Sequence, residues 1–327
     1  MSPDLPPALR AGAEALLEGT SGRTLAQDSA NLTKAYRSGA GSASAVRSAG
    51  QVAAYALARL PATYAACASA MQSLAAAAPD FAPATLLDAG AGPGGASWAA
   101  CEMWASLTAV SMMDANGPFL ELAARLAAGA DGPLSQARLL RQDLTHPDGS
   151  WPSAELVLCS YALAEIGPES QEGVVGRLWE ACSGILLLVE PGTPAGFQRI
   201  ALARRYLLGA GATLLAPCTH AQACPIEDPD WCHFVQRLPR SRSHLMAKQA
   251  SVPFEDEKFA YLAAARPAVA SKAKGAGRII GPVRSGKAGL EMRLCTADGV
   301  VEHKVPRRDK AAHAAHRRLQ WGDIVDL

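Results

Sequence analysis

The feature that most constrains this chain is a set of short apolar runs separated by stretches long enough for a helix. They are Thr85-Leu86-Leu87-Asp88, Leu107 to Asp114, Glu155 to Cys159 and Gly184 to Glu190. Runs this apolar need cover on both faces, which parallel strands with intervening helices provide. Residues 81–212 are therefore expected to form a doubly wound, Rossmann-like α/β domain. Before it, residues 1–80 are Ala-rich and helix-favouring, with Gly/Ser punctuation at Ser38-Gly39-Ala40-Gly41-Ser42, and predict several short helices. After it, residues 213–327 predict a small, basic, mostly β lobe, with a strand pair at Gly289 to Cys295 and Val300 to Val305 about the turn Ala297-Asp298-Gly299.

The first strand ends in Asp88-Ala89-Gly90-Ala91-Gly92-Pro93-Gly94-Gly95. Glycines there allow positive φ and close approach of a ligand, and the helix that follows offers free N–H groups. A dinucleotide would compete for such a turn. Asp88 before the glycines and Asp114 at the end of the next strand, where a ribose needs a carboxylate, favour S-adenosylmethionine; the spacing resembles methyltransferase motif I. The expected cofactor residues are Asp88, Gly90, Gly92, Gly94, Asp114 and, after the third strand, Asp143. A turn or N-cap role competes for Asp143.

No catalytic residue is assigned. The fourth strand ends in Cys159-Ser160-Tyr161-Ala162-Leu163-Ala164-Glu165, without the Asn/Asp-Pro-Pro-Tyr/Phe that positions exocyclic amines and without the Pro-Cys of cytosine C5 chemistry. Cys159 reads as a core residue, and Tyr161 and Glu165 as candidates for substrate contact, with packing and helix capping as the competing roles.

Cys218, Cys224 and Cys232 stand in one Pro-rich loop and can converge on a metal, with Cys295 as the natural fourth ligand and His220 and His233 as runners-up. Four thiolates suit zinc or an iron–sulfur cubane, and spacing alone favours zinc.

Charge is divided along the chain. Residues 1–234 carry 13 Lys+Arg and 21 Asp+Glu; residues 235–327 carry 18 and 9. That asymmetry suggests a polyanion partner for the basic part, with Arg237, Arg240, Arg242, Lys248, Lys304, Arg307 and Arg308 as candidate phosphate contacts. No run approaches the roughly 18 apolar residues of a spanning helix. The first residues lack a secretory layout, and eight scattered cysteines read as thiols or ligands. A cytoplasmic monomer without a membrane partner is expected.

The segments Pro217-Cys218, His220, Cys224-Pro225, Asp230-Trp231-Cys232-His233-Phe234, Gln236-Arg237, Arg240-Ser241 and Phe254 to Tyr261 resemble the small-ribosomal-subunit methyltransferase-like family. So do Arg59 to Tyr64, the glycine loop, Val189-Glu190-Pro191-Gly192 and Trp321-Gly322-Asp323, so the resemblance covers nearly the whole chain after residue 55. It implies a methyltransferase fold that associates with small-subunit rRNA during assembly. It also implies a [4Fe–4S] cluster on Cys218, Cys224, Cys232 and Cys295 in place of zinc. An rRNA methyltransferase, a non-catalytic assembly factor retaining the fold, and a small-molecule methyltransferase with structural zinc are the three readings that follow.

Overall fold

The computed structural model describes residues 4–16, 22–37, 48–146, 150–271 and 276–326; the Ser38 to Ser42 punctuation lies outside them. Ten helices are described: α1 (Pro7–Ala15), α2 (Gly22–Arg37), α3 (Ala49–Ala58), α4 (Leu60–Ala77), α5 (Gly95–Met103), α6 (Gly117–Ala127), α7 (Pro168–Ala181), α8 (Pro194–Gly209), α9 (Arg242–Lys248) and α10 (Lys310–His316). The strands of the first half are β1 (Thr85–Ala89), β2 (Ala109–Asp114), β3 (Arg138–Arg141), β4 (Ala154–Ser160), β5 (Cys182–Pro191) and β6 (Thr213–Ala216). Those of the second half are β7 (Phe234–Pro239), β8 (Phe254–Ala265), β9 (Gly277–Ile279), β10 (Arg284–Ser285), β11 (Gly289–Thr296), β12 (Gly299–Pro306) and β13 (Ile324–Val325).

The large sheet runs β3-β2-β1-β4-β5-β8-β6, with β7 also on β8. Its first five strands are parallel, in the doubly wound order that reverses beside β1. The antiparallel β8, wedged between β5 and β6, gives the mixed sheet of a Rossmann-like methyltransferase fold instead of an all-parallel one. Side chains alternate across it as the pleat demands. Leu86, Met112 and Leu158 join the core beneath α4 and α5, whereas Leu87, Met113 and Val157 join the core beneath α7 and α8. Four helices, α1 to α4, are described before β1. Strands β6, β7 and β8, all beyond residue 212, complete the large sheet, and a separate five-stranded sheet of β9 to β13 begins at Gly277. The expected hairpin is present in it, with Cys295 opposite Val300.

One detail of the large sheet positions a site. β6 and β7 lie end to end along the same edge of β8, pairing with Ala263 to Ala265 and with Phe254 to Phe259. Residues 217–233 are thus an excursion of the chain opposite Ala260 to Leu262, and they contain three of the cysteines.

Candidate functional sites at the glycine loop and the cysteine cavity

Gly90, Gly92 and Gly94 all adopt left-handed φ, at 76°, 53° and 86°. Gly94 caps α5. A Cβ on Gly90 would lie 2.4 Å from the Ala162 Cβ, so glycine is required where the β1 and β4 loops meet. Asp114 is buried and holds this loop itself, its carboxylate accepting from the Gly92 N–H at 2.8 Å and the Asn116 N–H at 2.7 Å. Burial nonetheless raises its pKa, opposed by those backbone bonds. Asn116 in turn caps α6, accepting from the Phe119 N–H at 3.1 Å. Asp88 is fully buried at the end of β1 and accepts from the Ser97 hydroxyl at 2.7 Å; burial pushes its pKa up to about 7.

Asp88, the glycines and Asp114 therefore share the carboxyl edge of β1 and β2, at the switch point of strand order where such folds take ligands. Asp143 stands apart from them. It is exposed, and both the N–H and the hydroxyl of Thr145 donate to it at 2.8 and 2.7 Å, a turn arrangement that lowers its pKa.

At the end of β4, Tyr161 is one of two described non-glycine residues with positive φ, at 59°. Its hydroxyl donates to Glu257 at 3.0 Å, and the Arg59 guanidinium lies over its ring at 5.9 Å and 3.5 Å from Glu257. Burial and the Glu257 carboxylate hold the phenol well above its ordinary range, so it is a donor and not a base. Cys159 is buried in the core with its pKa pushed up by burial, which suits packing and not nucleophilic attack. Glu165 is exposed. Sequence reasoning missed Glu257, which reaches this edge from β8, and Asn116, although Asn before Gly-Pro is a readable cap.

The second site is a cavity of about 40 Å³ lined by Cys218, Cys224, Cys232 and Cys295 together. The loop 217–233 supplies three of them, and Cys295 comes from β11 of the small sheet. Ala260, Tyr261 and Leu262 of β8, opposite the excursion, form part of the wall. Trp231 anchors the loop by donating its indole N–H to the Gly192 carbonyl at 3.0 Å, and stacks on His233. His220 approaches the sulfur of Cys295 at 3.6 Å, whereas His233 packs between Trp231 and Trp321. Two buried guanidiniums, Arg204 of α8 and Arg278 of β9, also line the cavity. Among the described residues no three His, Cys, Asp or Glu side chains form a group that could hold a metal ion. The cysteine ligand set therefore rests on the shared cavity and not on a formed ion site.

The basic candidates divide. Arg237 forms a two-pronged pair with Asp256 at 2.7 and 2.8 Å and lies over Phe254, Arg240 and Lys248 converge on Glu255, and Lys304 faces Glu291 at 3.5 Å. Arg242 is exposed at the start of α9, and Arg307 and Arg308 are exposed beside the small sheet. All eight cysteines are unpaired. Among the described residues no helix is long and apolar enough to cross a membrane.

The family described as mitochondrial small ribosomal subunit Rsm22 matches residues 49–326. The human mitochondrial ribosome assembly protein METTL17 is 29% identical over 84% of this chain and 62% of its own length. The mitochondrial Rsm22-cox11 tandem protein 2 of Schizosaccharomyces pombe is 27% identical over 74% of this chain and 38% of its own. The chain thus spans about three fifths of the first relative and under two fifths of the second. Among solved structures, magnesium protoporphyrin IX methyltransferase from Synechocystis with bound S-adenosylmethionine is 16% identical, with a TM-score of 0.41 over 64% of this chain and 84% of that one.

Proposed function

Because the chain belongs to the Rsm22 family, we propose that it is an assembly factor of the small ribosomal subunit that retains an S-adenosylmethionine-binding methyltransferase fold. The observation that carries this reading is the end of β4. Tyr161, Glu257 and Arg59 are engaged with one another there, and Cys159 is packed away, where a catalyst would present a group to its substrate. Methyl transfer to rRNA is the second reading, favoured by the three left-handed glycines. In either case Asp88, Gly90, Gly92, Gly94 and Asp114 would hold the cofactor, Asp114 facing the ribose. Asp143 is the weakest member of that set, since its contacts are local.

The basic region would meet rRNA phosphates, with Arg242, Arg307 and Arg308 foremost because none of them pairs with a carboxylate among the described residues. Unpaired cysteines fit a reducing compartment, for which we propose the cytoplasm, with the chain a monomer.

Cys218, Cys224, Cys232 and Cys295 would hold a [4Fe–4S] cluster, which when bound supplies a rigid four-thiolate crosslink and a one-electron centre. Two observations support the fit: the four cysteines share one cavity, and two buried guanidiniums stand ready to balance thiolate charge. A single tetrahedral zinc would need sulfurs about 3.8 Å apart, given Zn–S bonds of about 2.3 Å. Among the described residues no three side chains form an ion-binding group for either metal, so the choice of the cluster over zinc rests on the family resemblance of the cysteine segments.

Crosslinking of bound RNA, joined to mass spectrometry of rRNA from cells with and without the protein, tests the function. An assembly factor gives small-subunit crosslinks and no missing methyl group. A missing methyl group moves the reading to catalysis, and absence of rRNA crosslinks removes both. Affinity for the RNA should fall steeply as salt rises, because phosphate binding releases counterions.

A further inference from the structure

Arg204 and Arg278 are the least expected groups around the cysteine cavity. Their exposures are only 4% and 6%. Arg204 lies on the buried stripe of α8 with Ile200, Ala203 and Leu207, a position that helical periodicity reserves for apolar side chains. Arg278 lies in β9, all three residues of which are buried. Among the described residues neither guanidinium forms an ion pair with a carboxylate.

Their hydrogen bonds go to neutral groups of the ligand loop and its surroundings. Arg204 donates to the His220 carbonyl at 3.1 Å, the Gln222 carbonyl at 2.6 Å and the Cys218 sulfur at 3.4 Å. Arg278 donates to the Pro217 carbonyl at 2.8 Å and the Gly322 carbonyl at 2.6 Å. Carbonyls satisfy donors but carry no compensating charge, and a buried cation without a counter-anion is strongly disfavoured. The groups lining the cavity that can become anions are the four cysteines and the Tyr261 phenol, and burial raises the pKa of that phenol above its ordinary value, which leaves the cysteines as the counter-anions.

Resting on the cluster reading above, we propose that Arg204 and Arg278 are the built-in counter-charges of the four-thiolate site, governing its loading and its reduction potential. Four thiolates around an oxidised [4Fe–4S] core leave roughly two negative charges, which two guanidiniums balance. Without that charge both cations face only neutral acceptors. The same arginines tie that loop to its neighbours: Arg278 connects Pro217 of the loop to Gly322 of the C-terminal segment through its own strand. Arg278 thereby combines charge balance with the joining of the two sheets, and Arg204 combines it with the fastening of the loop to α8. Nearby positive charge and hydrogen bonds to sulfur favour the reduced form, so their loss lowers the potential.

The test uses the full chain purified anaerobically, with iron and sulfide assayed and the midpoint potential read by paramagnetic resonance during dithionite titration. Arg204→Met and Arg278→Met should each lose iron several-fold or, where the cluster is kept, shift the midpoint to lower potential. Arg204→Lys and Arg278→Lys, which keep the charge, should recover most of the loading. Arg205→Met is the control, since Arg205 is the exposed neighbour of Arg204 on α8 and does not line the cavity. Met variants with unchanged iron and potential would overturn the proposal, as would Lys variants that lose iron as fully as Met. A wild-type preparation with neither iron nor sulfide would instead defeat the cluster reading itself.

Discussion

The glycine-loop site and the cysteine site are built by opposite means. At the first, one continuous turn supplies the cradle, and Asp114 of the neighbouring strand is satisfied by the Gly92 N–H of that turn and by the adjacent Asn116 N–H. At the second, groups from a loop, a helix and two sheets surround a cavity, and its buried cations have no carboxylate partners among the described residues. A site made by one turn can be preformed in the folded chain. One made across two sheets depends on whatever closes it, because its ligands have no common position in the unfolded chain.

The largest contrast should come from Cys295→Ser. It removes the only small-sheet cysteine at the cavity and should abolish most of the iron, taken as about four per chain for a cubane, while loosening the basic lobe. Cys182→Ser, in the core beneath α7 and α8, should leave iron content unchanged. Metal analysis with limited proteolysis reads both; unchanged iron in Cys295→Ser would mean that closure across the sheets is not needed.

Next in size is Gly90→Ala. Positive φ costs a non-glycine residue about 1–2 kcal/mol, and the new methyl would meet the Ala162 Cβ at 2.4 Å, which neither backbone can avoid cheaply. We expect a total of about 2–4 kcal/mol by denaturant unfolding, with iron content retained in the protein that stays folded. A loss below about 1 kcal/mol would show that the β1 and β4 loops are not held this close.

These two sites also differ in how far sequence revealed them. The strand–glycine–helix unit was legible because its chemistry is local: strand, turn and helix start occupy adjacent residues, and each leaves a composition signal. Cys218, Cys224 and Cys232 were legible as a cluster for the same reason. Arg204 and Arg278 were not, since an arginine on a helix or strand reads as a solvent-facing charge until its face is known. The sole available signal was that Arg204 sits on the stripe of Ile200 and Leu207. The edge sharing of β6 and β7 was equally hidden, because it depends on β8, which pairs with both from later in the chain. Pairing partners chosen at long range leave no periodicity in either segment.

Asp114→Ala sharpens the claim that the first site is self-supporting. The substitution removes acceptors from two backbone N–H groups, worth about 1–3 kcal/mol, so stability should fall even without cofactor. Calorimetry should show a further loss of S-adenosylmethionine affinity of similar size if the carboxylate also meets the ribose. Unchanged cofactor-free stability would contradict the loop-holding role; unchanged affinity would contradict the ribose contact.

The smallest effect, and the one most specific to the first site, concerns Asp88. In the unfolded chain it ionises near the usual aspartate value of about 3.9, whereas in the fold burial raises its pKa to about 7. A raised pKa means that the folded state binds the proton more tightly. Its contribution to stability is therefore fully present below about pH 4 and is lost as pH rises through about 7. Ser97 offsets the burial only in part, and the second carboxylate oxygen is buried without a hydrogen-bond partner among the described residues. Asp88→Asn removes the titration, so thermal melts of the variant should fall less between pH 5 and 8 than those of the wild type. The expected difference is on the order of 1–2 kcal/mol at pH 8, discounted from the full linkage value because a buried site relaxes. S-adenosylmethionine is a sulfonium cation, and a cation beside Asp88 favours the charged carboxylate. Adding it should restore wild-type stability at pH 8 and do much less for Asp88→Asn. Parallel melting curves for the two proteins, with and without the cofactor, would mean that Asp88 neither ionises in the fold nor senses the glycine loop's ligand.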